Sequence, residues 1–332
     1  MNVLSLFDGI SCARIGLERA GIQINSYYAI EIDKHASKVS QTNYPDIVRP
    51  VNDVRFLSAC MLPEIDLLIG GSPCQDLSIA KKERKGLEGD RSGLFWEYIR
   101  ILREVKPKYF VLENVASMPK KDRDIITKEM GVEPVLFNAS LVSAQCRKRL
   151  FWTNIQFELP DDRGIVLKDI LQPDAEINQK TMVFHKTAQT GRNETKKLGY
   201  IGDKDHQGKR VYDENGKLPA LNVICNSMVK IGYIGEGEQN GQGGQANRIY
   251  DEIGKSPTLS SFSPLIQNNL GIRKLTPIEC ERLQGVPDDY TSMVSKTQRY
   301  KCLGNAFNCD VIAHILQYLL LKNEENEIEK ME

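Results

Sequence analysis

Through the first half of the chain, short apolar runs alternate with longer stretches in which apolar residues recur every three or four positions. The short runs predict strands over residues 3–7, 26–30, 47–51, 66–70, 109–112, 135–138 and 150–153, where β-branched and aromatic residues concentrate between turn formers. The longer stretches predict helices over 13–20, 34–43 and 93–105, the last entered from Ser92-Gly93. Strands alternating with helices make an open, mainly parallel, doubly wound α/β sheet. From about residue 161 to 270 the pattern breaks. Gly, Asn, Gln and Lys dominate, broken by short strand-like runs, so this segment reads as a separate, loop-rich β domain.

Inside that segment the sequence repeats itself. Lys197-Leu198-Gly199-Tyr200-Ile201-Gly202 recurs as Lys230-Ile231-Gly232-Tyr233-Ile234-Gly235, and Arg210-Val211-Tyr212-Asp213-Glu214 recurs as Arg248-Ile249-Tyr250-Asp251-Glu252. Each copy closes on Gly-Lys-x-Pro, at Gly216 and Gly254. Two copies are too few for a self-supporting solenoid, which favours a duplicated hairpin unit in one small sheet over two recognition modules. The last residues, 322–332, are polar and acidic and are expected to fray.

Composition narrows the chemistry. With 332 residues, two domains are expected. No apolar run approaches the roughly 18 residues of a membrane span, and the N-terminus reads as a strand rather than a secretory signal, so a cytoplasmic location is expected. The 8 cysteines lie far apart without CxxC spacing, and the 4 histidines form no HExxH pair, so no metal site is expected. Catalysis must then rest on Cys, Glu and Arg. The formal net charge of zero moves the question of a polyanionic partner to local clusters of Lys and Arg.

Several strand ends carry such residues. Phe7-Asp8-Gly9-Ile10 follows the first strand, where Gly9 suits a tight turn and a helix N-terminus faces a ligand. Glu31 ends the second strand, placed to accept hydrogen bonds from both ribose hydroxyls of a nucleoside cofactor, and Asp53 follows the third, placed for an adenine amine. Either carboxylate alone would by default be a surface or capping group; their succession along the sheet edge is what argues for a site. Gly70-Gly71-Ser72-Pro73-Cys74 follows the fourth strand, and a cysteine on a Gly/Ser/Pro loop is a poor core residue and a good nucleophile. Next come Lys81, Lys82, Arg84 and Arg91, a basic run suited to phosphates or simply to solvent. Glu113 ends the fifth strand at the same sheet edge as Cys74, and Arg147 and Arg149, two apart, share a face if extended, to bind an anion or carbonyl or to form salt bridges.

Taken in order, these segments closely resemble the DNA cytosine C5-methyltransferases of bacteria and phages over nearly the whole chain. The resemblance rests on Phe7-Asp8-Gly9, Glu31, Pro73-Cys74-Gln75, Glu113-Asn114-Val115 and Gln145-x-Arg147-x-Arg149, then on the 275–287 segment from Leu275-Thr276-Pro277 to Gly285-Val286-Pro287, and on Leu303-Gly304-Asn305-Ala306. The nucleophile motif resembles that of the eukaryotic de novo enzymes, and Ser11-Cys12 departs from the glycine of many members. The resemblance implies a Rossmann-like, class I S-adenosylmethionine-dependent methyltransferase sheet. Residues 1–160 and 297–332 would form a discontinuous catalytic domain around a small target-recognition domain, 161–296.

It further implies a cofactor pocket of S-adenosylmethionine lined by Phe7 to Ile10, Glu31 with Ile32, Asp53 with Val54, Pro73, Leu94, and Asn305 with Ala306. Cys74 would add to C6 of a flipped-out cytosine, Glu113 would donate toward N3, Arg147 would hold O2, and Arg149 would support the site. Gln75, Ser78, Lys81, Lys82, Arg84 and Arg91 would close over duplex DNA. The implied partners are double-stranded DNA and a cognate restriction endonuclease in a restriction-modification system, and the implied state is a monomer. The catalytic motifs alone do not separate DNA from a tRNA substrate; the long duplicated insert favours DNA. Intact Cys74, Glu113, Arg147 and Arg149 argue against a silent binding module.

Overall fold

The computed structural model describes residues 1–73, 93–172 and 275–328, together with the strand segments 184–186, 197–201, 210–213, 218–219, 228–231 and 271–273. Cys74, Gln75, Ser78, Lys81, Lys82, Arg84 and Arg91 lie outside the described residues, as does the second Arg-x-Tyr-Asp-Glu copy. The chain forms two compact units: residues 1–138, 148–160 and 307–332 in the first, and residues 139–147 and 161–306 in the second.

The strands before residue 154 are β1 (Asn2–Leu6), β2 (Ser26–Ile30), β3 (Leu67–Gly71), β4 (Tyr109–Val115), β5 (Val135–Asn138), β6 (Gln145–Cys146) and β7 (Lys148–Thr153). All except β6 build the six-stranded sheet of the first unit, in the order β2-β1-β3-β4-β7-β5. β2, β1, β3 and β4 run parallel, whereas β7 is antiparallel to both β4 and β5. The strand expected over 47–51 is reduced to a single bridge, Val48 to Tyr28. Val48 exchanges bonds with Tyr27 O and Ala29 N at 2.9 and 3.0 Å. Pro45 and Pro50 bracket it, and a proline has no N–H with which to extend a ladder.

Both faces of the sheet are covered, which is why β1 and β3 are runs of apolar residues rather than alternating ones. Leu4, Leu6, Leu68, Leu112 and Trp152 are fully buried in one cluster with Phe95, Tyr98 and Ile101 of α3 (Leu94–Val105). Each such side chain contributes about 1.5–3 kcal/mol by leaving water. The other helices of this unit are α1 (Cys12–Arg19), α2 (Lys34–Asn43), α4 (Lys120–Met130) and α7 (Cys309–Ile328), with α5 (Pro277–Gln284) and α6 (Lys296–Asn305) in the second. α4 escaped the sequence pattern because its buried face is only Asp122, Ile126 and Met130. α1 packs against α7 through Gly16, where an added Cβ would lie 2.6 Å from Ile312 Cγ2. Cys12, Cys280, Cys302 and Cys309 are buried free thiols, and burial pushes those of Cys280 and Cys309 well up.

In the second unit, β8 (Phe184–Lys186), β9 (Lys197–Ile201), β10 (Arg210–Asp213), β12 (Met228–Ile231) and β13 (Gly271–Arg273) form one sheet in the order β13-β12-β10-β9-β8, and β11 (Leu218–Pro219) pairs with β6. β9 and β10 are antiparallel, so the first copy of the repeat is a hairpin. The start of the second copy, Lys230-Ile231, lies in β12, which joins β10 in parallel within the same sheet.

The points where the chain leaves and re-enters the stretch 173–274 are tied together. Gln172 N donates to Glu279 Oε1 at 2.8 Å, and Thr276 Oγ1 donates to Gln172 Oε1 at 2.5 Å. Arg282 Nη1 reaches Ile170 O at 3.1 Å. The same Thr276 and Glu279 form the capping box of α5, satisfying N–H groups that a helix start leaves open. α6, expected in the catalytic domain, falls in the second unit because it is bonded to α5 and its flanks. Arg299 pairs with the fully buried Glu281 at 2.8 Å, Gln284 Nε2 donates to Leu303 O at 2.6 Å, and Tyr300 OH to Leu275 O at 2.9 Å.

Candidate active site

β1 runs into a turn with three left-handed residues in five: Phe7 at φ 58°, Gly9 at φ 62° and Ser11 at φ 62°. Two of these carry side chains, and such a backbone persists only when its surroundings hold it. Asp8 does most of the holding. Its buried carboxylate accepts from Ser11 Oγ at 2.6 Å and Tyr27 OH at 2.8 Å, with Arg49 Nη2 at 3.7 Å. Burial raises the Asp8 pKa, opposed by the hydroxyls of Ser11, Ser5 and Tyr27 and by the charge of Arg49. The Asp8 side chain therefore faces inward, and the turn presents main chain. Nothing lies within 4 Å of a Cβ built on Gly9, so its side of the turn is open.

Glu31 closes this turn from the end of β2. One oxygen accepts the Gly9 N–H at 2.8 Å and the other the Asp33 N–H at 2.7 Å. Burial raises its pKa, against the two main-chain bonds, with the charges of Asp8 and Asp33 adding to the rise. Each oxygen keeps a lone pair for a ligand hydroxyl. Between Glu31 and Asp33, which caps α2, the apolar Ile32 is 69% exposed, the form of a platform for a flat ring. Asp53 is differently employed: it accepts the Arg55 N–H and pairs with the Arg55 guanidinium at 2.5 Å, which holds its carboxyl below the usual range. Val54 is buried, its carbonyl held by Arg100 of α3 at 3.0 Å, and Leu94, half-buried, begins that helix. Asn305 is exposed and Ala306 buried, both in the second unit.

The ends of β3 and β4 lie side by side. β3 closes on Gly70 and Gly71; main chain leaves no room for a Cβ at Gly70, and at Gly71 a Cβ would crowd the side chains of Phe307 and Glu113. A Cβ on Gly70 would lie 2.7 Å from Leu6 O, and one on Gly71 would lie 2.7 Å from Phe307 Cε1 and 3.0 Å from Glu113 Oε2. Ser72 and Pro73 follow, leading to Cys74. Glu113 sits opposite Gly71 in the register of β4. Its Oε1 pairs with Arg149 Nε of β7 at 2.6 Å, both side chains largely shielded.

Arg147 and Arg149 do not share a face. β6 ends at Cys146 and β7 starts at Lys148, leaving Arg147 at the break. It is buried, and its guanidinium donates to Gly304 O at 3.3 Å and Ala306 O at 2.8 Å. Arg149, rather than Arg147, reaches Glu113. Sequence reasoning also passed over two buried polar residues, Ser72 and Asn114, which are hydrogen-bonded to each other. Their signal was available, since Asn114 follows Glu113 directly and Ser72 precedes Pro73-Cys74 in its motif. Among the described residues no cluster of His, Cys, Asp or Glu would hold a metal, and no helix is long and apolar enough to cross a membrane.

The family profile of the C-5 cytosine-specific DNA methylases matches residues 1–320. The chain is 29% identical over 346 aligned positions to the type II methyltransferase M.HhaI of Haemophilus parahaemolyticus, covering 96% of this chain and 93% of that protein. It is 31% identical to the orphan methyltransferase M.SPRI of Bacillus phage SPR, covering 86% of this chain and 68% of that one. Among solved structures, the Dnmt2 methyltransferase of S. pombe superposes with a TM-score of 0.60 at 16% identity, over 97% of this chain and 99% of that one, a likeness of fold. A profile that spans the turn at Gly9, Glu31, Glu113 and both arginines leaves one assignment: the chain belongs to the C-5 cytosine-specific DNA methylases.

Proposed function

We propose that this methylase takes its methyl group from S-adenosylmethionine and places it on C5 of a cytosine swung out of duplex DNA, with Cys74 as the nucleophile. The observation that carries the reading is the adjoining ends of β3 and β4, where the segment leading into Cys74 lies beside Glu113 and Glu113 is held by Arg149. The open turn at Gly9 and the two-sided acceptor Glu31 fit a nucleoside with ribose hydroxyls, and Ile32 fits its base. When bound, S-adenosylmethionine supplies an electrophilic sulfonium methyl group.

The residues divide the work. C5 of cytosine is a weak nucleophile until a thiolate adds to C6, and Cys74 makes that bond. Negative charge then builds toward N3, where Glu113 supplies a proton or hydrogen bond. Arg149 orients Glu113 and, with its remaining N–H groups, faces the developing charge on O2. After C5 is methylated its proton leaves, the C5–C6 double bond re-forms and Cys74 departs. Arg147 holds the main chain around Gly304 and Ala306, keeping Asn305 in place.

Residues 75–91, with Lys81, Lys82 and Arg84, serve as the DNA-facing lid, and the insert with its repeated sequence unit reads the target sequence in the major groove. The working form is a monomer in the cytoplasm, and a restriction endonuclease of the same specificity is its partner in a restriction-modification system, as the names of its type II relatives suggest. Bisulfite sequencing of DNA from a methylation-free host tests the central reading. Wild type should protect cytosines in one short motif and Cys74→Ala should protect none. Protection by the Cys74→Ala variant, or labelling of RNA alone by wild type, would overturn it.

A further inference from the structure

β3 and β4 pair in parallel from Leu67 opposite Tyr109 to Gly71 opposite Glu113, and the main-chain ladder stops there. β4 runs on to Val115 only through its other edge, against β7. One residue past the last pair, a side chain takes over. Asn114 Nδ2 donates to the Ser72 hydroxyl at 3.0 Å and to the Ser72 carbonyl at 3.3 Å. Its Oδ1 accepts the Val115 N–H at 2.8 Å. These contacts fix the amide's orientation, since reversing it would set nitrogen against N–H and oxygen against carbonyl. Asn114 is 1% exposed and Ser72 4%, so water cannot readily replace a missing bond.

We propose that Asn114 is a positioning residue of the methyl transfer. It holds Ser72-Pro73 at a set offset from Glu113, and through them sets where the Cys74 thiolate stands relative to the carboxyl. The inference rests on Cys74 being the nucleophile. Its chemical basis is that thiolate and carboxyl act on two atoms of one small ring, C6 and N3, so their spacing must be held to a fraction of an ångström; a misplacement of about 1 Å costs on the order of a hundredfold in rate. Pro73 has no N–H to continue the ladder, and Asn114 supplies the cross-strand bond from the other side.

The test compares Asn114→Asp and Asn114→Leu, both close in shape to asparagine, in single-turnover transfer of labelled methyl from S-adenosylmethionine to unmethylated genomic DNA. At about pH 8 both should be slowed about a hundredfold, with KM for DNA and affinity for S-adenosylmethionine within about threefold of wild type. Near pH 6 the aspartic acid, protonated beside a carbonyl, regains one donor, so Asn114→Asp should recover about fivefold relative to wild type while Asn114→Leu does not. Wild-type rates for both variants, or a loss confined to binding, would overturn the proposal. Should neither fold, Ser72→Ala decides: it removes only the hydroxyl acceptor, and the expected result is a rate about fivefold lower, an unchanged rate overturning the proposal. Cys74→Ser separates the two ideas. Residual full activity in that variant removes the nucleophile reading itself, whereas a dead Cys74→Ser beside active Asn114 variants removes only the role of Asn114.

Discussion

Glu31 and Glu113 lie toward the same edge of one sheet, on strands separated by β1 and β3, and meet different partners, main-chain N–H groups for the first and a guanidinium for the second. The difference has consequences in solution. In the proposed role Glu31 must be ionised to accept two ribose hydroxyls, and burial raises its pKa, so acid protonates it sooner than a free glutamate. Affinity for S-adenosylmethionine should therefore fall as pH drops through that raised value. Calorimetric titration across pH should show this slope in wild type, and Glu31→Gln should lose about tenfold or more in affinity together with the slope. A pH-dependent affinity that persists in Glu31→Gln would assign the effect elsewhere. The two arginines offer a second contrast. Arg149→Lys keeps a charge but loses the Nε contact on Glu113, and should slow methyl transfer about ten- to a hundredfold without moving the unfolding midpoint. Arg147→Lys strips bonds from two buried carbonyls, and should instead destabilise the fold by about 1–3 kcal/mol in denaturant titration.

Among the elements, the packing of α1 on α7 reverses a common expectation. Glycine inside a helix normally weakens it by about 1 kcal/mol relative to alanine. Here a methyl at position 16 would meet Ile312 at 2.6 and 2.9 Å and the Ala313 main chain at 3.2 Å. Gly16→Ala should therefore destabilise by about 1–3 kcal/mol, with Ile312→Ala restoring part of the loss in the double variant. Thermal unfolding followed through the buried Trp152 reads both. Which elements the sequence announced follows the same logic of packing. β2, β5 and α2 were legible to the residue, because turn formers bound strong local patterns. The supposed strand over 47–51 was not, since two prolines undo what its apolar residues suggest. α4 hid behind a mostly charged sequence, and β7 gave no sign that it would run against its neighbours, a property of tertiary pairing rather than of local pattern. Glu31, Glu113 and the arginines stood out by type and position, but their partners did not: that Asp8 points inward onto Tyr27 and Arg49 is a fact of three-dimensional neighbourhood, whereas the pairing of Asp53 with Arg55, two residues on, is a local contact the pattern of strands did not draw attention to.

For the whole molecule, a formal net charge of zero means that attraction to DNA comes from local clusters rather than from overall charge. Lys81→Ala, Lys82→Ala and Arg84→Ala combined should weaken duplex binding and reduce the slope of log affinity against log salt by about three, one for each phosphate no longer neutralised. An unchanged slope would remove residues 75–91 from the DNA-binding surface. At this scale the tie among Gln172, Thr276, Glu279 and Arg282 gains a further meaning. A stretch whose two ends are pinned side by side can be shortened, lengthened or traded between genes at little cost, because closing a longer loop adds only about 0.6 kcal/mol per doubling. The repeated sequence motif reads as the trace of one such event, written into a cassette that evolution can exchange while the chemistry stays where it is.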